Sequence, residues 1–297
     1  MLVRSVATAA MSVIALLGVT ACSPTDENTA GNTTAGSNTA PSVSAAADEC
    51  DKSKLSLLTP GTFTVATDNP AYEPWFSDNK PSNGKGYESA VAYAVAKKLG
   101  FEPSEVKWVT ASFNNVVTPG RKNFDVDINQ VSISDERKKA VDFSTGYYDV
   151  AQSVVSNTGS KIANAKSLAE LKGAKLGAQV GTTSYRTITD TIKPSPKPAV
   201  YDTNDLAVQA LKNKQIDGIV VDLPTGFYMS AAQLDNGKIV GQISSGSSPE
   251  QFGFVLSKGS KLTACVSKAV DALRGEGALA RLEQQWLAAA GGAPELK

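Results

Sequence analysis

The chain of 297 residues contains no histidine. That removes the imidazole on which zinc sites and general bases most often rely. Cysteine is scarce too, at three residues, and their spacing gives no metal site. Neither sign of charge is in excess, with 29 basic and 29 acidic residues. Nothing therefore marks a basic face for a nucleic-acid backbone. Beyond the first residues no apolar run is long enough to cross a bilayer. What is present is a globular composition, 41% hydrophobic. No metal, no cofactor and no nucleic-acid partner are expected, and the folded part is expected to be a monomer.

The first residues read as an export signal. Arg4 supplies the positive start, and residues 11–19 form an apolar stretch too short for a membrane span. Val19-Thr20-Ala21-Cys22 then resembles a lipobox, the cleavage site of bacterial lipoproteins, which makes Cys22 the lipidated first residue. The alternative is an ordinary secretory signal cut near Ala21, with Cys22 incidental. Residues 23–49 are rich in Ser, Thr, Asn, Ala and Gly and hold no aromatic residue or leucine. They read as a disordered tether. Cys50 and Cys265 remain. In an exported chain they are a disulfide or, alternatively, two free thiols.

Residues 61–68 alternate as a strand and end on the polar pair Thr67-Asp68. A loop dense in proline and aromatics follows at 69–76. Val91, Val95 and Leu99 recur at helical spacing over 86–99, with Gly100 where a helix-ending glycine belongs. A strand at 106–109 comes next. Val126, Ile128, Val131 and Ile133 mark a buried strand that passes into a helix at Ser134, with Asp135 and Glu136 in its first turn. This βαβ rhythm implies a parallel sheet. A second rhythm starts near residue 150. Strands are expected at 154–156, 174–179 and 216–222, a capping box at Ser167 and Glu170, and helices after Ser184 and over 205–212. A strand at 251–256 leads back to two helices whose apolar stripes run from Leu262 to Trp286. Residues 290–297 read as a frayed tail. The organisation is α/β: lobe 1 from 50–152 and 247–290, lobe 2 from 153–246. Two crossing strands between them suit hinge closure around a ligand.

Arg137 lies just past the junction of strand and helix. Open α/β sheets bind ligands outside the carboxyl ends of their strands. A guanidinium fork there suits a carboxylate. The neighbouring residues carry a resemblance. Ser132-Ile-Ser-Asp-Glu-Arg137, Val141-Asp-Phe-Ser144 with Tyr147-Tyr148, Gly181-Thr-Thr183, Asp217-Gly-Ile-Val-Val-Asp222 and Phe252-Gly-Phe254 together are highly specific. Over about residues 57–290 the chain resembles the substrate-binding lipoproteins of amino-acid ABC transporters. These are extracellular solute-binding proteins of family 3, with the type II periplasmic-binding-protein fold of two lobes and a two-strand hinge.

The resemblance implies a ligand site residue by residue. Arg137 matches the clamp on the ligand α-carboxylate, and Ser132 and Thr183 match positions that add donors to it. Asp222 matches the acid that receives the α-ammonium, with Gln130 assisting through its backbone carbonyl. Tyr72 and Phe113 match aromatics that sandwich the ligand side chain. Asp68 matches an acid at its distal end. Gln179, where relatives often have Leu or Lys, and Asn129-Gln130, where small residues are common, alter the side-chain pocket. Asp127 adds a carboxylate near the strand end. Some of these residues have plainer readings. Asp222 is alternatively a turn cap before Pro224, Asp68 an Asx-turn residue before Asn69-Pro70, and Tyr72 and Trp75 lobe packing.

The expected function is capture of a polar amino acid, cationic or amide, outside the cytoplasm. The protein would be lipid-anchored and deliver its ligand to ABC permease subunits without performing chemistry. The alternatives are an enzyme on the same fold, such as a dehydratase of cyclic acids, or a ligand-sensing receptor module.

Overall fold

The computed structural model describes residues 49–244, 249–287 and 292–297. The export signal, Cys22 and the tether up to residue 48 lie outside the described residues. From Cys50 on, the chain first builds the strands β1 (Phe63–Thr67), β2 (Val106–Thr110), β3 (Val126–Asp127) and β4 (Val141–Phe143). It crosses along β5 (Tyr148–Val150). It then builds β6 (Gln152–Asn157), β7 (Leu176–Gln179), β8 (Ala199–Tyr201), β9 (Gly218–Asp222) and β10 (Gly237–Ile243). It returns along β11 (Glu250–Phe252) and ends its strands with β12 (Val255–Ser257).

Chain order thus separates two five-stranded sheets, β2-β1-β3-β12-β4 and β10-β6-β9-β7-β8. The two-strand ribbon of β5 and β11 connects them, with Tyr148 opposite Phe252 and Val150 opposite Glu250. Both sheets are mixed rather than parallel throughout. β1 pairs in parallel with β2 and β3, and β7 with β8 and β9. The strands next to the crossings, β12 in one lobe and β6 and β10 in the other, run antiparallel. A chain that leaves a sheet and re-enters through a ribbon comes back reversed, whereas a βαβ unit does not.

The helices are α1 (Tyr87–Lys98), α2 (Phe113–Val117), α3 (Thr183–Arg186), α4 (Asn204–Lys212), α5 (Leu223–Tyr228), α6 (Thr263–Gly275) and α7 (Ala278–Leu287). In α1 the expected stripe is buried, Val91, Val95 and Leu99 with Ala92. Leu99 caps the end of the helix, just past Lys98, and Gly100 follows at φ +85°. Gly86 opens the helix at φ +91°, where a Cβ would stand 2.5 Å from the Trp75 carbonyl. β1 is buried along its whole length, as befits a central strand. Its Phe63 and Val65 join Val126, Ile128 and the stripes of α1, α6 and α7 in the first lobe's core. Cys50 and Cys265 are bonded, with Cα atoms 5.3 Å apart, which ties the start of the described chain to α6.

Two local expectations change. The helix expected from Ser134 is one short turn, Arg137–Lys139. The Ser134 hydroxyl accepts the Arg137 amide at 3.2 Å, and β4 begins two residues after that turn. The tail is not frayed in residues 292–297. The Gln242 amide of β10 donates to the Pro294 carbonyl and its carbonyl accepts the Leu296 amide, a parallel bridge opposite Glu295, and the Leu168 amide donates to the Lys297 carbonyl at 3.2 Å. Leu296 is 4% exposed and belongs to the second lobe's core. Gly241 leaves the space it fills, since a Cβ there would stand 2.6 Å from the Leu296 Cγ.

Candidate functional site

Six of the parallel strands point their carboxyl ends at one cleft between the sheets. Asp68 follows β1, Phe113 follows β2, Asn129 and Gln130 follow β3, Gln179 ends β7, Asn204 follows β8 and Asp222 ends β9. With Tyr72, Ser132, Arg137, Thr182 and Thr183 they line about 450 Å³ of space. All nine residues singled out from the sequence as ligand contacts lie on this wall. Asn129, Thr182 and Asn204 complete it. Thr182 was legible in the same Gly-Thr-Thr turn. Asn204 was not, because the short strand before it, Ala199–Tyr201, carries too little pattern to be read as one.

Arg137 is 7% exposed. Its Nη1 donates to the Ser132 carbonyl at 2.7 Å, and its Nη2 donates across the cleft to the Gly181 carbonyl at 2.9 Å. The guanidinium carbon stands 5.3 Å from the centre of the Phe113 ring. Two carbonyls and one ring therefore fix the fork and leave further N–H groups for an acceptor in the cleft. Burial lowers its pKa to about 10, with Arg186 adding to the effect and Glu250 and Asp222 opposing it. It stays a cation at neutral pH. Gly181 offers its carbonyl from φ +72°, a conformation open to glycine. The Ser132 and Thr183 hydroxyls meet across the cleft at 3.3 Å.

Asp222 stands opposite Gln152 in the β6–β9 ladder, and the Gln152 Nε2 donates to its Oδ1 at 2.7 Å. Its side chain makes no cap bond to α5, so the turn-cap reading is set aside. Burial raises its pKa to about 8, and the nearby Glu250 carboxylate adds to the rise.

Around these two side chains the polar wall is more constrained than the sequence conveyed. The Asp68 carboxylate accepts the amides of Asn69 at 2.7 Å and Phe113 at 3.0 Å, so it holds the turn after β1 and seats the start of α2. Its position in the wall is secured by that structural work. Gln130 sits at φ +48°, and both its main-chain N–H and its side-chain amide donate to Glu88. Glu88 is fully buried in the first turn of α1 and also accepts the Tyr147 hydroxyl. Burial lifts Glu88 to about 7 against those hydrogen bonds. Tyr72 is half-buried, and its phenol reaches Asp205 at the start of α4, a contact between the lobes. Trp75 is core: it is fully buried, packs edge-on against Tyr87, Tyr148 and Phe252, and donates Nε1 to Thr225 Oγ1 at 2.8 Å.

Asp127 is a correction. It does not line the cleft, and it is completely buried at the end of β3, two residues before Asn129. The β3 ladder seats it between Ala66 and Val255 in the middle of the sheet, where its neighbours in sequence do not show it will be buried.

The family model of the bacterial extracellular solute-binding proteins, family 3, matches residues 63–289. The L-cystine-binding protein TcyJ of Escherichia coli (strain K12) is 30% identical over 77% of this chain and 84% of its own length. The solved structure of an ancestral arginine-binding protein bound to arginine matches with a TM-score of 0.63 and 31% identity, over 76% of this chain and 98% of that one. The ancestral amino acid-binding protein AncCDT-1, a precursor of cyclohexadienyl dehydratase, matches with a TM-score of 0.62 and 28% identity, over 76% of this chain and 95% of that one.

Proposed function

This chain belongs to the bacterial extracellular solute-binding proteins, family 3, and from that premise we propose that its cleft holds a polar L-amino acid, cationic or amide, for an ABC importer. The observation that carries the reading is a guanidinium and a carboxyl group facing one cleft, Arg137 from the first lobe and Asp222 from the second. A zwitterion leaving water needs both of its charges paired, or the cost is several kcal/mol per ion. Arg137 takes the α-carboxylate, with the Ser132 and Thr183 hydroxyls as further donors. Asp222 takes the α-ammonium. Tyr72 and Phe113 flank the side chain. Asp68, Asn129, Gln130, Gln179, Thr182 and Asn204 offer it polar partners and no hydrophobic floor, which favours a cationic or amide group over an aliphatic one. The cleft performs no chemistry in this reading.

The protein works outside the cytoplasm, as its family does, and Cys22 anchors it to the membrane by lipid. It works as a monomer beside the permease subunits. The test is calorimetric titration after a thermal-shift screen with L-arginine, L-glutamine, L-histidine and L-cystine. Arg137→Ala and Asp222→Ala are each expected to weaken binding by about two to four decades, since removing one partner of a buried pair costs about 3–5 kcal/mol. Arg137→Lys keeps the charge, loses the fork and falls between. Circular dichroism controls for folding. Two folded variants that bind within threefold of the parent would put the clamp elsewhere.

A further inference from the structure

A second carboxylate stands behind Asp222, and it comes from the hinge. Glu250 is the first residue of β11, in the ribbon that connects the lobes. It does not line the cleft. Gln152, 4% exposed, begins β6 two residues after the ribbon partner Val150. Its Nε2 donates to Asp222 Oδ1 at 2.7 Å and to Glu250 Oε2 at 3.2 Å. Its Oε1 accepts the Ser184 hydroxyl at 2.7 Å. Both hydrogens of that amide are therefore committed, one to each acid, and the serine keeps it from turning over. Acceptors that share one amide nitrogen lie roughly 5 Å apart, close enough for the Glu250 charge to oppose the ionisation of Asp222. Among the charges acting on Asp222, Glu250 ranks first, ahead of Arg137 and Glu88. On Arg137, Glu250 ranks ahead of Asp222. The Tyr148 phenol, on the other ribbon strand, also faces Asp222.

We propose that Glu250 is a positioning residue of the ligand site, which through Gln152 fixes the Asp222 carboxylate and adds a second negative charge from the hinge at the end that receives the ammonium. This rests on the reading of Arg137 and Asp222 as the clamp. The consequence is a proton balance. Below about pH 8 Asp222 carries a proton before the ligand arrives. The ligand enters as R–NH3⁺, the Asp222 O–H bond breaks, and the proton leaves to solvent. Affinity then rises with pH towards 8, by up to about tenfold per pH unit for one proton exchanged.

Glu250→Gln keeps an oxygen for the Gln152 amide and removes the charge. In ligand-free protein, the side-chain carboxyl carbon of Asp222, assigned with Asp222→Asn, is expected to titrate at least half a pH unit lower in Glu250→Gln. Calorimetry with L-arginine and L-glutamine in two buffers of different ionisation enthalpy should count fewer protons released at pH 7 by the variant. Its affinity should also depend less steeply on pH. Glu276→Gln, which removes an exposed acid paired with Lys98 away from the cleft, is the control and should move neither reading. An unchanged Asp222 titration in Glu250→Gln overturns the proposal whether or not a ligand binds. If the titration moves but neither amino acid binds, the clamp reading fails and this proposal with it, and the ligand-free titration shows which premise gave way.

Discussion

Asp127 shows how far a residue's neighbours in sequence can mislead. Both its oxygens lack a hydrogen-bond partner among the described residues, and the side chain is fully buried. Burial pushes its pKa well up, Glu88 and Asp68 add to this, and the Lys122 ammonium opposes it only in part. Lys122 itself donates to the carbonyls of Asn115 at 2.7 Å and Thr118 at 2.6 Å. A raised native pKa means that the native state holds a proton the unfolded state releases, so stability falls as pH climbs from the unfolded value, about 3.9. Asp127→Val, which suits a central strand, is therefore expected to stabilise the fold by about 1–3 kcal/mol at pH 7. The gain should shrink towards pH 4. Thermal unfolding across pH tests this. A destabilised variant at pH 7 would mean that Asp127 has a partner that supports it. Arg137 is the contrary case. Its place past a strand end suited a carboxylate, and the motifs around it, Ser132 to Ser144, singled it out through their resemblance to a known family. The two carbonyls that hold it, Ser132 and Gly181, were beyond the reach of sequence, because one of them comes from the other lobe.

Elements held by local pattern were read well. α1 declares itself through the spacing of Val91, Val95 and Leu99 and the stop at Gly100, since burial period and chain termination are both written within one turn. The segment after Ser134 was not, because its acidic start and basic run suit a helix. What shortens it is β4, which must reach β12 within a few residues. The last six residues tell the same lesson more sharply. A segment of Gly, Ala, Pro, Glu, Leu and Lys has no pattern of its own, and its order comes wholly from the edge of β10 and the space above Gly241. Gly241→Val is expected to expel it. Hydrogen exchange should then lose protection at the Gln242, Leu296 and Leu168 amides, while the α1 amides keep theirs. Leu296→Ala should lower stability by at most about 2–5 kcal/mol, the usual cost of a buried leucine, with detachment of the segment setting the ceiling. Full protection of Leu296 in Gly241→Val would show that the segment is not seated as described.

At the scale of the molecule, the described residues form one compact unit that contains both sheets. The lobes meet around the cleft through Trp75 and Thr225, Arg137 and Gly181, Ser132 and Thr183, and the Glu136–Arg186 ion pair. Trp75 also packs on Tyr148 and Phe252, one from each strand of the ribbon, so it sits where a hinge would turn. Small-angle scattering should therefore give a smaller radius of gyration at saturating ligand than without it, if the ligand's two charges draw the lobes together. Superimposable profiles would argue against a hinge. The sequence by itself determined the class of fold, the two-lobe order, the pairing of Cys50 with Cys265 as one of two options, and the nine residues on the cleft wall. The fold class and the cysteine pair follow from periodicity and cysteine count, and the nine wall residues from the resemblance that the motifs around Arg137, Thr183 and Asp222 carry, all of it local in sequence. Only the tertiary structure decided that Asp127 is buried beneath the cleft, that Glu88 holds Gln130, that Gln152 joins Asp222 to Glu250 and that the tail belongs to the second lobe. Each of those depends on a partner dozens of residues away, and no local pattern records which distant strand a side chain will face.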